Sequence, residues 1–319
     1  MSLSMLKSNP VFTNFTSKDR DNWGAAVLNL KHRLHEDPLF SEDALADLID
    51  RSPQSNYDLV TMGAQTGRRF WREGEKGSLK GHEIIHAIAT GRFWINLRRV
   101  MDVDERYNTL LNTIFAEIEE RVPSLGKTFK HNMGVLISSP NAQVYYHCDI
   151  PGQSLWQIKG TKRVYIYPTT EKFLPQEAME GIIIGETEEE IAYDPAFDNE
   201  ASVVDLEPGE MLTWPLNGPH KVMNHDCLNV SVTTEHWTPA IRNSYAVHFA
   251  NGMLRRKFGL NNLAHQTDGL GVYPKLALAA ALKAMKANKS LTNKRMIDFR
   301  VDPSAPDGFV DIEAYDRAA

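Results

Sequence analysis

The sequence predicts a mainly β protein flanked by helices, and three stretches carry that prediction. Residues 141 to 168, NAQVYYHCDIPGQSLWQIKGTKRVYIYP, form two runs rich in β-formers, separated by the turn signal Pro151-Gly152. Residues 207 to 222, EPGEMLTWPLNGPHKV, hold a Pro-Gly turn, a short apolar strand over Met211 to Trp214 and a Pro/Gly loop. Residues 227 to 238, CLNVSVTTEHWT, alternate in strand fashion and complete a barrel. Helical periodicity lies mostly outside this block. The expected division is an N-terminal helical and loop region over 1–92, a barrel over 93–239 and a C-terminal helical region over 240–319.

In chain order, residues 1 to 20 lack periodicity and read as an extended arm. Trp23 to Leu34 reads as a helix with Ala26, Val27, Leu30 and Leu34 as its apolar positions. His35-Glu36-Asp37 is a charged surface loop. Ser41 is an N-cap for a helix to Arg51 with Leu45, Leu48 and Ile49 on one face, stopped by Ser52-Pro53. Residues 56 to 78 read as loops because Gly63, Gly67, Gly74 and Gly77 punctuate them. Phe93 to Val100 is a strand entering the barrel. Asp104 to Val122 is a helix with Tyr107, Leu111, Ile114, Phe115 and Ile118 on one side, and 129 to 139 resumes strand character. Leu155 to Tyr167 reads as a hairpin turning at Lys159-Gly160-Thr161. Leu174 to Asn199, with Glu186, Glu188, Glu189 and Glu190, reads as a solvated insertion, or as a rim that meets substrate. Ala246 to Phe258 and Leu276 to Ala287 are helical.

Composition excludes several function classes. The formal charge is −6 and basic residues do not cluster, which disfavours nucleic acid and anionic lipid as partners. Cys148 and Cys227 are the two cysteines, so a disulfide framework and a CxxC metal site are both ruled out, and they read as buried reduced thiols. Neither a signal peptide nor an apolar run of about 18 residues is present. The expected location is a reducing cytoplasm, with no membrane.

The chemistry resides in His147 and Asp149. Two apart in a strand, they project from one face while Tyr146 and Cys148 project from the other. His220, arriving on a distant strand, is the candidate third ligand. Two histidines and one carboxylate form the facial triad of non-haem Fe(II) sites, which leaves metal positions open. A core role without metal is disfavoured, because a buried unpaired Asp is costly.

Four features together resemble the JmjC-type and cupin-like Fe(II)- and 2-oxoglutarate-dependent oxygenases, nearest to the asparaginyl hydroxylase branch. These are the His-x-Asp of His147 and Asp149, the QIKGTKRVYIYP segment with Lys162 fifteen residues after the first ligand, the PGExLxxP run from Pro208 to Pro215, and His220. The resemblance covers roughly residues 130 to 240. It implies a double-stranded β-helix, the cupin jelly roll. It also implies Fe(II) held by His147, Asp149 and His220, with 2-oxoglutarate and O2 as co-substrates of a hydroxylation. Lys162 would bind the distal carboxylate of 2-oxoglutarate. The family's hydroxyl residue three before the first ligand is Val144 here, so Tyr145, on the same face as His147 by strand parity, or Ser231 or Thr233 would take its place. Gln153 stands where relatives have an asparagine and would contact the co-substrate; Trp237 reads as core. In similar families C-terminal helices form a homodimer, an expectation weighed equally against packing within the chain. The primary substrate, protein side chain or small molecule, is not legible.

Two other readings stand beside this one. A metal-binding cupin acting as an isomerase or lyase, or as a non-catalytic ligand-binding protein, would not require Lys162. A zinc metalloprotease would use His82-Glu83-Ile84-Ile85-His86, a literal HExxH. In that helix Ile84, Ile85, Ile88 and Ala89 form the apolar side, leaving both histidines on the polar side, and Ala89 stands where the extended motif needs glycine. Replacing His82 and His86 by Gln is therefore expected to leave bound metal, measured by elemental analysis, unchanged; loss of zinc would restore the protease reading.

Overall fold

The computed structural model describes residues 10–62, 71–187 and 191–317. Gly63, Gly67, Glu188, Glu189, Glu190 and residues 1–9 of the expected arm lie outside the described residues.

The N-terminal region supplies sheet as well as helix. Thr16 caps α1 (Ser17–Asn22). The expected helix over Trp23 to Leu34 is instead a turn followed by β1 (Leu28–Lys31). Leu-Asn-Leu-Lys alternates, so pairing on residues 210–213 buries Leu30 and leaves Asn29 and Lys31 in solvent. α2 (Glu42–Arg51) forms as expected, with Ser41 accepting from the Ala44 amide and Leu45, Leu48 and Ile49 buried. The expected loops contain β2 (Tyr57–Met62) and β3 (Trp71–Glu75). Gly74 is a packing glycine inside a strand, since a Cβ there would overlap the Phe299 ring. α3 (Gly81–Thr90) buries Ile84, Ile85 and Ile88 and exposes His82 and His86. β4 (Phe93–Leu97) and α4 (Val100–Val103) precede α5 (Glu105–Arg121), whose N-cap Asp104 accepts from the Arg106 amide at 2.9 Å.

Eight strands then form the barrel: β5 (Phe129–Ser138), β6 (Gln143–His147), β7 (Gly152–Lys159), β8 (Lys162–Ile166), β9 (Ser202–Leu206), β10 (Glu210–Thr213), β11 (His220–Asn224) and β12 (Asn229–Trp237). Between β8 and β9 lies α6 (Gln176–Ile184). After the barrel come α7 (Pro239–Phe258), α8 (Val272–Ala284), β13 (Met296–Val301) and β14 (Phe309–Asp316). The large sheet has the order β1-β10-β7-β12-β5-β4-β2-β3-β13-β14, and the small sheet β6-β11-β8-β9. The chain crosses between sheets at β5-β6, β6-β7, β7-β8, β9-β10, β10-β11 and β11-β12. This is the double-stranded β-helix.

That winding overturns the expected hairpin at Lys159-Gly160-Thr161, because β7 and β8 pair with different sheets and not with each other. The segment is a corner. Gly160 takes φ +74°, and a Cβ there would collide with the Leu228 carbonyl oxygen. The buried Gln157 amide ties the corner down, donating to the carbonyls of Lys159 at 2.9 Å and Gly160 at 2.8 Å and to Asn229 Oδ1 at 2.7 Å.

Three apolar clusters position the site. Leu155, Val164, Ile166, Leu206, Leu212, Trp214 and Val222 fill the barrel interior. The outer face of the large sheet packs on the N-terminal helices, and Tyr146 and Cys148 face a third cluster with α6, α7 and α8. The expected solvated insertion is core along α6, where Glu180 is fully buried against Arg255 (2.8 Å) and His265 (3.1 Å), and exposed or half-buried over 192–199. Residues 240–319 are likewise not helical throughout, since β13 joins the large sheet parallel to β3. Arg317 locks this end in place through Asp58, Glu73 and the Tyr57 carbonyl. Among the described residues no helix is long and apolar enough to cross a membrane.

Gly160→Ala is expected to lower unfolding free energy by about 1–3 kcal/mol or more in chemical denaturation, through left-handed strain plus collision. Gly24→Ala, at φ +75° with open space around it, carries the strain alone and should cost less.

Candidate metal centre

His147 is the last residue of β6 and His220 the first of β11, and the two are directly opposed across the small sheet. Each ring is fixed by its own backbone neighbourhood. Nδ1 of His147 lies 2.6 Å from the Tyr145 carbonyl oxygen, and Nδ1 of His220 lies 3.0 Å from that of Gly218. With Nδ1–H donating to a carbonyl, each Nε2 keeps its lone pair for a ligand. The ring centroids are 4.1 Å apart.

Asp149 sits in the turn beyond β6, not in the strand as expected. Asn217, in the loop before β11, hooks that turn by donating from Nδ2 to the carbonyls of Asp149 (2.7 Å) and Ile150 (3.2 Å). One ligand loop thereby positions the other. Gln153, with its amide nitrogen turned toward the carboxylate, donates to Asp149 Oδ1 at 2.9 Å and also to Oδ2. Asp149 Oδ2 lies 3.4 Å from His220 Nε2, and one ligand atom from each of the three residues lies within 4.8 Å of the others.

Electrostatics favour a cation at this point. Burial, then the nearby Glu235 carboxylate, raises the Asp149 pKa to about 8. Burial, then His147, drives His220 well below its usual value, so the imidazole is neutral. Two imidazole nitrogens and a carboxylate converge here, a donor set that suits a divalent transition metal at one open face.

The remaining predicted residues separate into two groups. A cavity of about 410 Å³ opens beside the triad and is lined by His147, Asp149, Gln153, Thr233 and Val144 among others. Tyr145 is not in its wall, contrary to strand parity. His220 opposes His147 and Val222 opposes Val144, so two residues of β6 stand against one of β11. This bulge turns both Val144 and His147 inward. Ser231 is also outside that wall and donates to Gln157 Oε1 at 2.8 Å, within the corner network. Lys162 is buried at the start of β8, with the inward parity of Val164 and Ile166. No carboxylate among the described residues pairs with it. Desolvation lowers its pKa to about 7, partly offset by Cys227.

Sequence reasoning missed Asn217, Glu235, and the cavity residues Trp94, Asn96 and Asn132. Glu235 was accessible, since it lies two residues beyond Thr233 on one strand and shares its face. Asn217 carried no signal, because its role depends on two loops meeting. The HExxH pair forms no metal cluster with described residues; His82 lies against Asp43 on the surface at 3.4 Å.

Replacing His220 by Ala is expected to abolish stoichiometric Co(II) binding, whereas Asn217→Ala, which loosens the ligand loop, should weaken it by about 10-fold or more. Full cobalt content in the His220 variant, measured by elemental analysis, would overturn the triad.

No protein-family model matches this chain, and no curated protein does. Among solved structures, the chain is similar to the Escherichia coli ribosomal oxygenase YcfD in complex with cobalt and 2-oxoglutarate, at 19% identity and TM-score 0.48 over 87% of this chain and 68% of that one. A further structure of Escherichia coli YcfD gives 18% identity and TM-score 0.47 over 88% and 70%. A complex of YcfD with cobalt and succinic acid gives 15% and 0.43 over 87% and 68%.

Proposed function

We propose that this protein is an Fe(II)- and 2-oxoglutarate-dependent oxygenase, coupling decarboxylation of 2-oxoglutarate to hydroxylation of a C–H bond. The balance is substrate, O2 and 2-oxoglutarate to hydroxylated substrate, succinate and CO2. The observation that carries the reading is the pairing, inside one barrel, of a His-Asp-His triad with a buried lysine that no described residue meets with an opposite charge. An isomerase, lyase or passive cupin would need the first without the second.

His147, Asp149 and His220 would hold the iron, which when bound supplies the activation of O2. The protein's own part is positioning and desolvation. Gln153 orients the Asp149 carboxylate, and Asn217 keeps the two ligand loops in register. The apolar interior around Val164, Ile166 and Leu212 excludes water from the Lys162 end. There the lysine would receive the distal carboxylate. Thr233, on the cavity wall, is the hydroxyl candidate left by the substitution of valine at 144.

Lys162→Met keeps the apolar stem and removes the charge, so metal content should stay intact while 2-oxoglutarate affinity falls about 10- to 100-fold, a loss of about 1.5–3 kcal/mol. The reading also fixes a proton sign. At pH 8 a lysine with a pKa near 7 is mostly neutral, and a bound carboxylate raises that pKa. Binding of 2-oxoglutarate to cobalt-loaded protein should therefore take up nearly one proton at pH 8 and almost none at pH 6. Calorimetry in buffers of different ionisation enthalpy reads this directly. Absence of 2-oxoglutarate binding to metal-loaded wild-type protein would favour the cupin alternative.

A further inference from the structure

The formal charge of −6 is unevenly spread along the chain. Between Pro239 and Met296 there are ten Lys and Arg residues and one acidic residue, Asp268, so this stretch carries +9 and the remainder −15. Contrary to the expectation from the sequence, basic residues do cluster, because α8 runs back along α7 and sets Lys275 against Asn251 and Lys283 against Tyr245. Four of the ten are answered by carboxylates: Arg255 by Glu177 and Glu180, Arg256 by Glu186, Lys294 by Asp316, and Arg295 by Asp58 and Glu73. Lys275 turns to Asn251 Oδ1 at 2.8 Å. The other five, Arg242, Lys257, Lys283, Lys286 and Lys289, are exposed and form no ion pair with a described carboxylate.

Aromatic rings lie between the unpaired cations. Lys283 Nζ donates to the Tyr245 hydroxyl at 2.7 Å and lies 4.2 Å from the centre of that ring. Tyr245 meets Trp237 edge-on, with centroids 5.4 Å apart, and Lys130 Nζ of β5 lies 5.5 Å from the Trp237 ring. Trp237, expected in the core, is half-buried, as is Tyr245. Lys286 and Lys289 continue the band beyond α8, and Lys257 reaches it by donating to Ser290 at 2.9 Å. Lysine and aromatic side chains thus alternate across one face. None of them lines the cavity beside the triad.

We propose that this band docks a single-stranded nucleic acid, with phosphates on Lys130, Lys257, Lys283, Lys286 and Lys289 and bases against Trp237 and Tyr245. Like charges held together repel, so the partner that suits this face is an anion. A single strand brings charge at every nucleotide and a flat face at every base, which is the pairing that alternating cations and rings accept. A duplex keeps its base faces stacked inside, and a lipid headgroup layer has none, so either would leave the rings unused. The inference stands apart from the oxygenase reading and does not depend on it.

The test titrates zinc-loaded full-length protein into a fluorescein-labelled deoxythymidine strand of about twelve nucleotides, followed by fluorescence anisotropy between about 50 and 200 mM salt. The expected result is saturable binding, tighter than to a duplex of equal length, whose log affinity falls against log salt with a slope of about −2 to −4, as about three to five phosphate contacts give. The Lys283→Gln/Lys286→Gln/Lys289→Gln variant keeps the side-chain stems on an exposed surface. It should bind at least about 10-fold more weakly at the lower salt and flatten the slope by about 2, a change that a merely structural role would not produce. Trp237→Leu should weaken binding about 5-fold or more and leave the slope as it is. Absence of binding at the lower salt, a duplex bound as tightly, or a triple variant with native melting and an unchanged slope would overturn the proposal. So would binding to vesicles containing phosphatidylserine, or self-association that the triple variant loses, if the strand is not bound.

Discussion

Two ionisable groups withdrawn from water inside one barrel set the terms for the rest of the molecule. Asp149 and Lys162 are shifted in opposite directions by the same cause, the loss of hydration. Among the described residues neither is paired with an opposite charge, for His220 beside Asp149 is neutral and no carboxylate meets Lys162. Removing them from water is unfavourable unless something brought in from outside supplies the missing charge. A cation at one end and an anion at the other would do so. The apolar cluster of Leu155, Val164, Ile166, Leu212 and Trp214 is what enforces the demand.

The arrangement is held by uncharged amides. Gln157 bridges the corner that delivers Lys162 to β8, and Asn217 ties the Asp149 turn to the loop that delivers His220. Gln153 contacts the ligand carboxylate itself. Amides suit these positions because they donate and accept without adding a third uncompensated charge. Asn96 and Asn132 differ in that each leaves an oxygen unanswered.

What the sequence made legible was short in range. His147, Asp149, His220 and Lys162 could be placed because spacing along single strands and the turns flanking them is a local property. Helices with caps were also readable, as Ser41 and Asp104 show. The failures share one cause, which is pairing with remote partners. Leu28 to Lys31 has residues that fit either a helix or a strand, and the free edge of β10 decides for the strand. Gly74 looks like loop punctuation until Phe299 is placed against it. Tyr145 misleads because a bulge depends on the register of β11, and the corner at Gly160 looks like a hairpin because the sequence does not say which sheet each arm joins.

The docking of β13 beside β3 has a kinetic meaning. Arg295 and Glu73, which meet at the cavity wall, are 222 residues apart, and Arg317 reaches Glu73 across 244. The entropy of closing a loop grows with its length, and parallel pairing of distant strands forms slowly. The three metal ligands lie on neighbouring turns of one continuous winding, so their convergence is the cheaper closure. The far end of the cavity, at Arg295 and Glu73, is thus the part of the site whose closure spans the longer loop.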